Sequence, residues 1–391
     1  MNVSRHSLIF GLSYALDIAG KNNLSHSKST AYLSVLIGRE LGINENEIID
    51  LYYTALLHDI GISCDESAKQ EVYADNIKRH CVEGSKMIEK LPFSDQVSKD
   101  ILYHHENYDG SGPFGLVGEA IPKGAQIICL ADAFDDEFGK VDNYDRDLFL
   151  KIEEWLVKHG NMFSEEVKQA FLALAQREYF LLDYFNHETK YALSDKLVLD
   201  DNVHYGYDDV VKYAHCFADI IDRRSPFTFT HSHGIAELAR KATAHLGYDD
   251  ETQNKMYISG LLHDIGKLYI SSDILHKNGR LTPEERFEIN KHTYYTRKIL
   301  EQIDGFQEIV NYAANHHEKL DGTGYPYRIH GSKLSELEKI MAVCDVYQAL
   351  TEERPYREKL PSEKVWGIID DMSEKQHLDK ALVEKAKQIF E

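Results

Sequence analysis

Apolar residues recur every three to four positions along most of this 391-residue chain. Ile48-Ile49, Tyr52-Tyr53 and Leu56-Leu57 form one such series, which runs into His58-Asp59-Ile60-Gly61. Met256, Ile258, Leu261-Leu262 and Ile265 form another, which runs into Gly266. That spacing gathers apolar side chains on one face of a helix. The glycine after each series predicts a helix stop. Alternating apolar and polar runs, the mark of a half-buried strand, are scarce, and candidates such as Tyr191–Asp201 fall mid-chain. The pattern predicts an all-α protein.

The pattern also repeats. His26, His58-Asp59, His80, His104-His105 and Asp132 recur in the same order as His231, His263-Asp264, His292, His316-His317 and Asp345. The offsets are 205, then 212, then 213 residues. Leu148–Ala175 resembles Val365–Phe390, each reading as an amphipathic helix, a short polar loop and a closing helix. Residues 206–224 read as an opening helix whose counterpart is Ser7–Gly20. The expected organisation is two tandem helical domains, residues 1–180 and 206–391, packed through a connector at 181–205.

Imidazoles and carboxylates are the donors that hold two close transition-metal ions for hydrolysis. A lone histidine on a helix is seldom a ligand, but seven donors in a repeated pattern reverse that expectation. A carboxylate at Asp264 has lone pairs enough to bridge two ions.

Composition narrows the setting. The five cysteines are scattered and form no CxxC pair, which points to a reducing, cytoplasmic compartment and away from a structural thiolate site. A formal charge of -21 without a basic stripe argues against duplex nucleic acid as partner. An anionic small molecule stays compatible, because bound cations dominate the local field of such a site. No apolar run approaches a membrane span of about 20 residues. Protein partners are not indicated.

Three segments of the second copy carry a specific resemblance. They are His263-Asp264-Ile265-Gly266-Lys267, the run His316-His317-Glu318-Lys319-Leu320-Asp321-Gly322-Thr323-Gly324-Tyr325-Pro326, and Asp345-Val346-Tyr347-Gln348-Ala349-Leu350-Thr351 with Arg354-Pro355-Tyr356-Arg357. Together they resemble the HD-GYP family, a branch of the HD metal-dependent phosphohydrolases, over roughly residues 206–391. The resemblance implies hydrolysis of a cyclic dinucleotide, cyclic di-GMP or a mixed GMP–AMP ring, at a metal centre. By motif, His231, His263, Asp264 and Asp345 would hold one divalent ion, and Asp264, His292, His316 and His317 the other. Lys267 would meet the scissile phosphate, Tyr325 would shape the pocket, and Arg354 and Arg357 would steady phosphate oxygens. Iron or manganese suits such ligands first, with zinc also compatible. Trinuclear members are expected to carry a glutamate four residues before the first histidine; Phe227 stands there, so two ions are expected. A mononucleotide phosphohydrolase and a catalytically weak cyclic-dinucleotide receptor are the alternatives.

The first copy keeps the ligand-type residues His26, His58, Asp59, His80, His104, His105 and Asp132 but not the others. Ile62 replaces Lys267, Pro113-Phe114 replaces Tyr325-Pro326, and Val141 and Tyr144 fall at the arginine positions. The interval from His58 to His80 is 22 residues, against 29 from His263 to His292. Buried His and Asp without partners are unfavourable, so their retention points to a second metal site; the domain carrying it is read as regulatory or structural, or as hydrolysing another substrate.

Overall fold

A computed structural model describes residues 1–20, 25–61, 73–140, 146–186, 202–224, 231–277, 279–352 and 359–391. Ile62, Val141, Tyr144, Phe227, Arg354, Arg357 and the strand candidate at 191–201 lie outside the described residues. Among the described residues the chain is helical almost throughout, as the periodicity predicts. The regular strands there are Val3–Ser4 and His204–Tyr205, antiparallel, with Val3 opposite Tyr205.

The chain divides into two compact units: Met1–Ala15 with His204–Glu391, and Leu16–Val203. Residues 1–15, expected with the first copy, group with the second, and the expected connector at 181–205 is divided between the units at 203/204. Periodicity reports a helix but not what it packs on. The first residues pair with Tyr205, Leu8 and Leu12 are buried, and the Asp304 N–H donates to Ser7 Oγ at 2.5 Å.

In the unit containing the second copy, helices Tyr207–Arg224, His231–His245, Asp250–Leu262, Pro283–Leu300, Gln307–Ala314 and Glu336–Thr351 surround the His/Asp residues. Ser362–Glu374 and Lys380–Phe390 close it. Their starts are written locally. Thr282 and Glu285 form a capping box with Pro283 in the first turn, and Ser335 and Glu338 form another. These boxes fix the registers that carry His292 and Asp345. Ile235, Ala239, Met256, Met341 and Cys344 form the core between these helices. The other unit follows the same order, from His26–Glu40 and Glu45–Leu57 to Lys123–Phe138, over an aromatic core of Phe134, Phe138, Trp155, Phe171 and Tyr184.

The glycines after the His-Asp pairs have a different purpose from the expected helix stop. A Cβ on Gly266 would lie 1.9 Å from the carbonyl oxygen of His292. One on Gly61 would lie 2.1 Å from that of His80. Only glycine lets the turn after His-Asp press against the backbone of the next histidine's helix. Thr296 fastens the contact, its hydroxyl donating to His263 O at 2.8 Å and accepting from Gly266 N at 3.0 Å.

Gly11 is a similar close approach, with an added Cβ 2.5 Å from Ile303 Cγ1. Overpacking of this kind typically costs about 1–3 kcal/mol. Gly11→Val is therefore expected to lower the melting temperature of the unit containing residues 204–391, as seen by calorimetry. An unchanged melting profile would mean that residues 1–15 do not pack there.

Candidate metal centre

In the unit of residues 204–391, called the second unit after the copy it carries, the seven expected residues converge from five helices and their ends. His263, His292 and His316 are fixed alike. Each Nδ1–H donates to a carbonyl three residues back, at Gly260 (2.7 Å), Ile289 (2.7 Å) and Ala313 (2.6 Å). That sets the tautomer and leaves each Nε2 as a lone pair facing inward.

The carboxylate of Asp264 lies among them, 3 % exposed. Its Oδ2 is 3.1 Å from His263 Nε2 and 3.9 Å from His231 Nε2, and its Oδ1 is 3.4 Å from His292 Nε2. Asp345 meets His231 Nε2 at 3.6 Å through Oδ1 and His317 Nδ1 at 3.7 Å through Oδ2. Two donor groups result, His231/His263/Asp264 and His292/His316/His317, each with one donor atom per residue lying within 4.8 Å of the others.

The donors fit a cation. His263 Nε2 is buried and has no hydrogen-bond partner. His292 Nε2 and His316 Nε2 face each other at 3.4 Å, and both rings already spend their proton on a helix carbonyl. Two such lone pairs are compatible only with a positive charge between or beside them.

The electrostatics agree. Burial pushes His292 down to about 3 and His316 well below its ordinary value, so both stay neutral, the ligating form. Burial alone would raise the Asp264 carboxyl, but His263 and the Lys267 ammonium outweigh it and hold it well below the usual range. His231 differs: burial would lower it, but hydrogen bonds to Asp345 and Glu352 lift it to about 9, so without an ion it holds a proton that a bound ion would displace.

Lys267 Nζ lies 2.5 Å from Asp264 Oδ2. The Tyr325 ring packs 4.9 Å from that of His317. Its loop folds back tightly: a Cβ on Gly324 would lie 2.5 Å from Glu318 Cα.

Two site residues escape the sequence reading. Glu352 accepts from His231 Nδ1 at 2.9 Å and so turns its Nε2 inward. The buried Glu318 accepts from Tyr327 N at 2.8 Å and Ile329 N at 2.9 Å, fastening the loop that bears Tyr325. Glu318 follows the His-His pair directly, a signal available in the motif. Glu352 lies 121 residues from His231 and carries none.

The first unit also brings its seven residues together. Groups form from His26/His58/Asp59 and His80/His104/His105. Asp59 Oδ1 lies 3.6 Å from His58 Nε2 and 3.3 Å from His80 Nε2. Asp132 Oδ1 lies 3.0 Å from His26 Nε2, and its Oδ2 lies 3.8 Å from His105 Nδ1.

There are differences. Asp135, not a counterpart of Glu352, holds His26 Nδ1 at 2.8 Å, and Tyr184 donates to its other oxygen at 2.5 Å. Asp136, not foreseen from the sequence, joins His26 and Asp132 as a third donor group. Pro113, in place of Tyr325, lines a cavity of about 330 Å³ with His105, Asn107, Ser111, Asp132 and Met162.

The HD domain family model matches residues 15–148 and again 215–382. The chain belongs to the HD domain family. HD domains are metal-dependent, and both of these present His/Asp groups that could bind metal. A 3'3'-cGAMP-specific phosphodiesterase 1 of Vibrio cholerae is 29% identical over 383 residues, covering 94% of this chain and 88% of the relative. A cyclic di-GMP phosphodiesterase of Pseudomonas aeruginosa is 28% identical over 198 residues, covering 49% of this chain and 47% of the relative. The crystal structure of a cyclic GMP-AMP-specific phosphodiesterase of Vibrio cholerae shares the fold, with a TM-score of 0.72 at 23% identity over 100% of this chain and 98% of that one. Among the described residues of this HD-family chain, no helix is long and apolar enough to cross a membrane.

Hydrogen bonds to a charged group are worth roughly 1.5–3 kcal/mol each. Glu318→Ala, which removes two, should release the Tyr325 loop. Turnover is expected to fall at least about tenfold, with bound metal per chain unchanged by elemental analysis. Loss of metal in parallel with turnover would show that Glu318 supports the donors themselves rather than the loop.

Proposed function

We propose that the chain hydrolyses a cyclic dinucleotide, opening it to a linear dinucleotide or mononucleotides, with the chemistry in the unit that carries residues 204–391. The observation that carries this reading is the buried Asp264 carboxylate, with Oδ2 toward His263 and Oδ1 toward His292. His231, His263, Asp264 and Asp345 would hold one divalent ion, and Asp264, His292, His316 and His317 the other. Bound there, two ions would activate water and draw charge from phosphoryl oxygens. Iron or manganese suits this donor set.

The side chains supply the rest. The Nδ1 bonds to helix carbonyls keep three imidazoles in one tautomer and orientation, so no reorganisation is needed during attack. Lys267 is the ammonium next to the centre, placed to turn from Asp264 to a nonbridging phosphate oxygen as its charge grows. Tyr325 walls the pocket beside His317. Arg354 and Arg357 would clamp phosphate in the planar, two-pronged manner of guanidinium groups.

A mixed GMP–AMP ring is the favoured substrate, because a relative named for it matches across both halves of the chain. Cyclic di-GMP is the second reading, favoured by the relative that matches about half the chain. Incubation of the metal-loaded protein with both rings, with products separated by chromatography, tests the proposal; intact rings of both kinds would refute it. The first unit would bind metal without turning over the ring, in a regulatory or structural role. A cytoplasmic setting suits the scattered cysteines, which form no CxxC pair.

Asp264→Ala is expected to abolish ring opening, and Asp59→Ala to leave most of it. Equal losses in two folded variants would place catalysis in both units.

Lys267→Ala is expected to cost about 100- to 1,000-fold in turnover, the usual effect of removing one charge-stabilising contact. Metal content should hold, since an ammonium cannot ligate. Activity within a few-fold of the parent would reduce Lys267 to a structural partner of Asp264.

A further inference from the structure

Three histidines of the candidate centre are held by their own helices, and the first is not. His263, His292 and His316 each donate an Nδ1 proton to a carbonyl three residues back. His231 is the first residue of the helix His231–His245, and its Nδ1 turns instead to Glu352. A helix start leaves its first N–H groups without intrahelical partners and offers a side chain no preceding turn. The first unit shows the same contrast. His58 and His104 donate to Ala55 O at 2.8 Å and Ile101 O at 2.6 Å, whereas His26, first in the helix His26–Glu40, turns its Nδ1 to Asp135.

Glu352 and Asp135 orient the rings, and a buried carboxylate grips the backbone beside them. Asp222, on the helix Tyr207–Arg224, is 3% exposed. Its Oδ1 accepts from Ser232 Oγ at 2.7 Å and its Oδ2 from Ser232 N at 3.3 Å. Asp17, on the helix Arg5–Gly20 and 4% exposed, accepts from Ser27 N at 2.8 Å through Oδ1. Each serine directly follows the first ligand-type histidine of its copy. Aspartate, histidine and serine recur together: 17, 26 and 27 stand against 222, 231 and 232, each pair 205 residues apart.

Burying a carboxylate is unfavourable, and a helix start can be satisfied more simply by its own N-cap residue. The next helices in each copy are started that way: Asn44 accepts from Glu47 N, and Asp249 from Thr252 N. Neither of those starts carries a ligand-type residue. At the His26 helix the N-cap is Ser25, whose side chain makes no cap bond, and Asp17 serves from another helix instead. A cap from the same chain end satisfies an N–H but lets the helix start move. A cap from a second helix ties the start to a fixed point, which a metal-ligating side chain on that start requires.

We propose that Asp222 is a positioning residue of the metal centre. By gripping Ser232 it fixes where His231 stands, and so how tightly the ion of His231, His263, Asp264 and Asp345 would be held. Asp17 has the same role toward His26. The proposal rests on the two-ion reading of the centre and adds to it a residue outside the donor set.

The test is metal affinity, read apart from activity. The full chain is loaded with manganese and titrated with a chelator, and bound metal is counted at each step. Asp222→Leu is expected to weaken one ion per chain by about 10- to 100-fold, the usual effect of losing a group that supports a ligand, and to leave the others within a few-fold of the parent. Asp222→Asn keeps an oxygen for Ser232 N and offers an amide donor to Ser232 Oγ, so it should restore the parent's titration. Should Asp222→Leu fail to fold, Ser232→Ala removes only the 2.7 Å bond and should weaken the same single ion by about tenfold. Equal affinity in parent and folded variants, several ions lost together, or Asp222→Asn binding as poorly as Asp222→Leu would overturn the proposal. A parent that binds no pair of manganese ions would overturn it together with the two-ion reading.

Discussion

The second unit is organised around one buried carboxylate. Asp264 is charged, enclosed and placed between two sets of imidazoles, so its position must be exact and its charge must be met. Burying an unmatched carboxylate is strongly unfavourable. The Lys267 ammonium meets it at 2.5 Å, and the inward lone pairs of His263 and His292, 3.1 and 3.4 Å from it, leave room for a cation to meet the rest. The surrounding backbone serves the same end. Gly266 has no side chain, so the turn after Asp264 can touch the backbone of the His292 helix, and Thr296 bonds both sides of that contact. The capping boxes at Thr282 and Ser335 set the helix registers that deliver His292 and Asp345 to the same place.

Much of this was legible in the sequence, and the reasons differ by element. Helices were readable because their apolar faces repeat locally. The fourteen ligand-type residues were readable because the repeat presents them twice in one order. Glu352 was not, because its role depends on which way His231 turns, a fact of packing between distant segments. The purpose of Gly266 was misread as a helix stop, since a close approach by a residue from another helix leaves no local trace. The placement of residues 1–15 escaped for the same reason: an amphipathic helix does not name its partner.

The two units show how one ligand pattern can be supported differently. In the second, His231 is oriented by Glu352, to which Gln348 donates at 3.0 Å. In the first, Asp135 orients His26 from the position that Gln348 occupies in the repeat, and Tyr184 completes the bond. His292 spends its Nδ1 proton on a carbonyl, whereas His80 Nδ1 is buried and has no hydrogen-bond partner. The lone-pair argument for a cation is therefore tighter in the second unit. Replacement of Tyr325 by Pro113 opens space beside His105 rather than walling it. Retained donors with altered surroundings are what separates a metal site from a site for one particular substrate.

The account's central claim is that the two oxygens of Asp264 serve two different ions. Anomalous diffraction from crystals of the metal-loaded chain measures this directly. Two peaks in contact with Asp264 are predicted, one shared with His231, His263 and Asp345 and the other with His292, His316 and His317, with no third ion joined to that carboxylate. A single peak at Asp264, or two peaks of which only one touches it, would contradict the account.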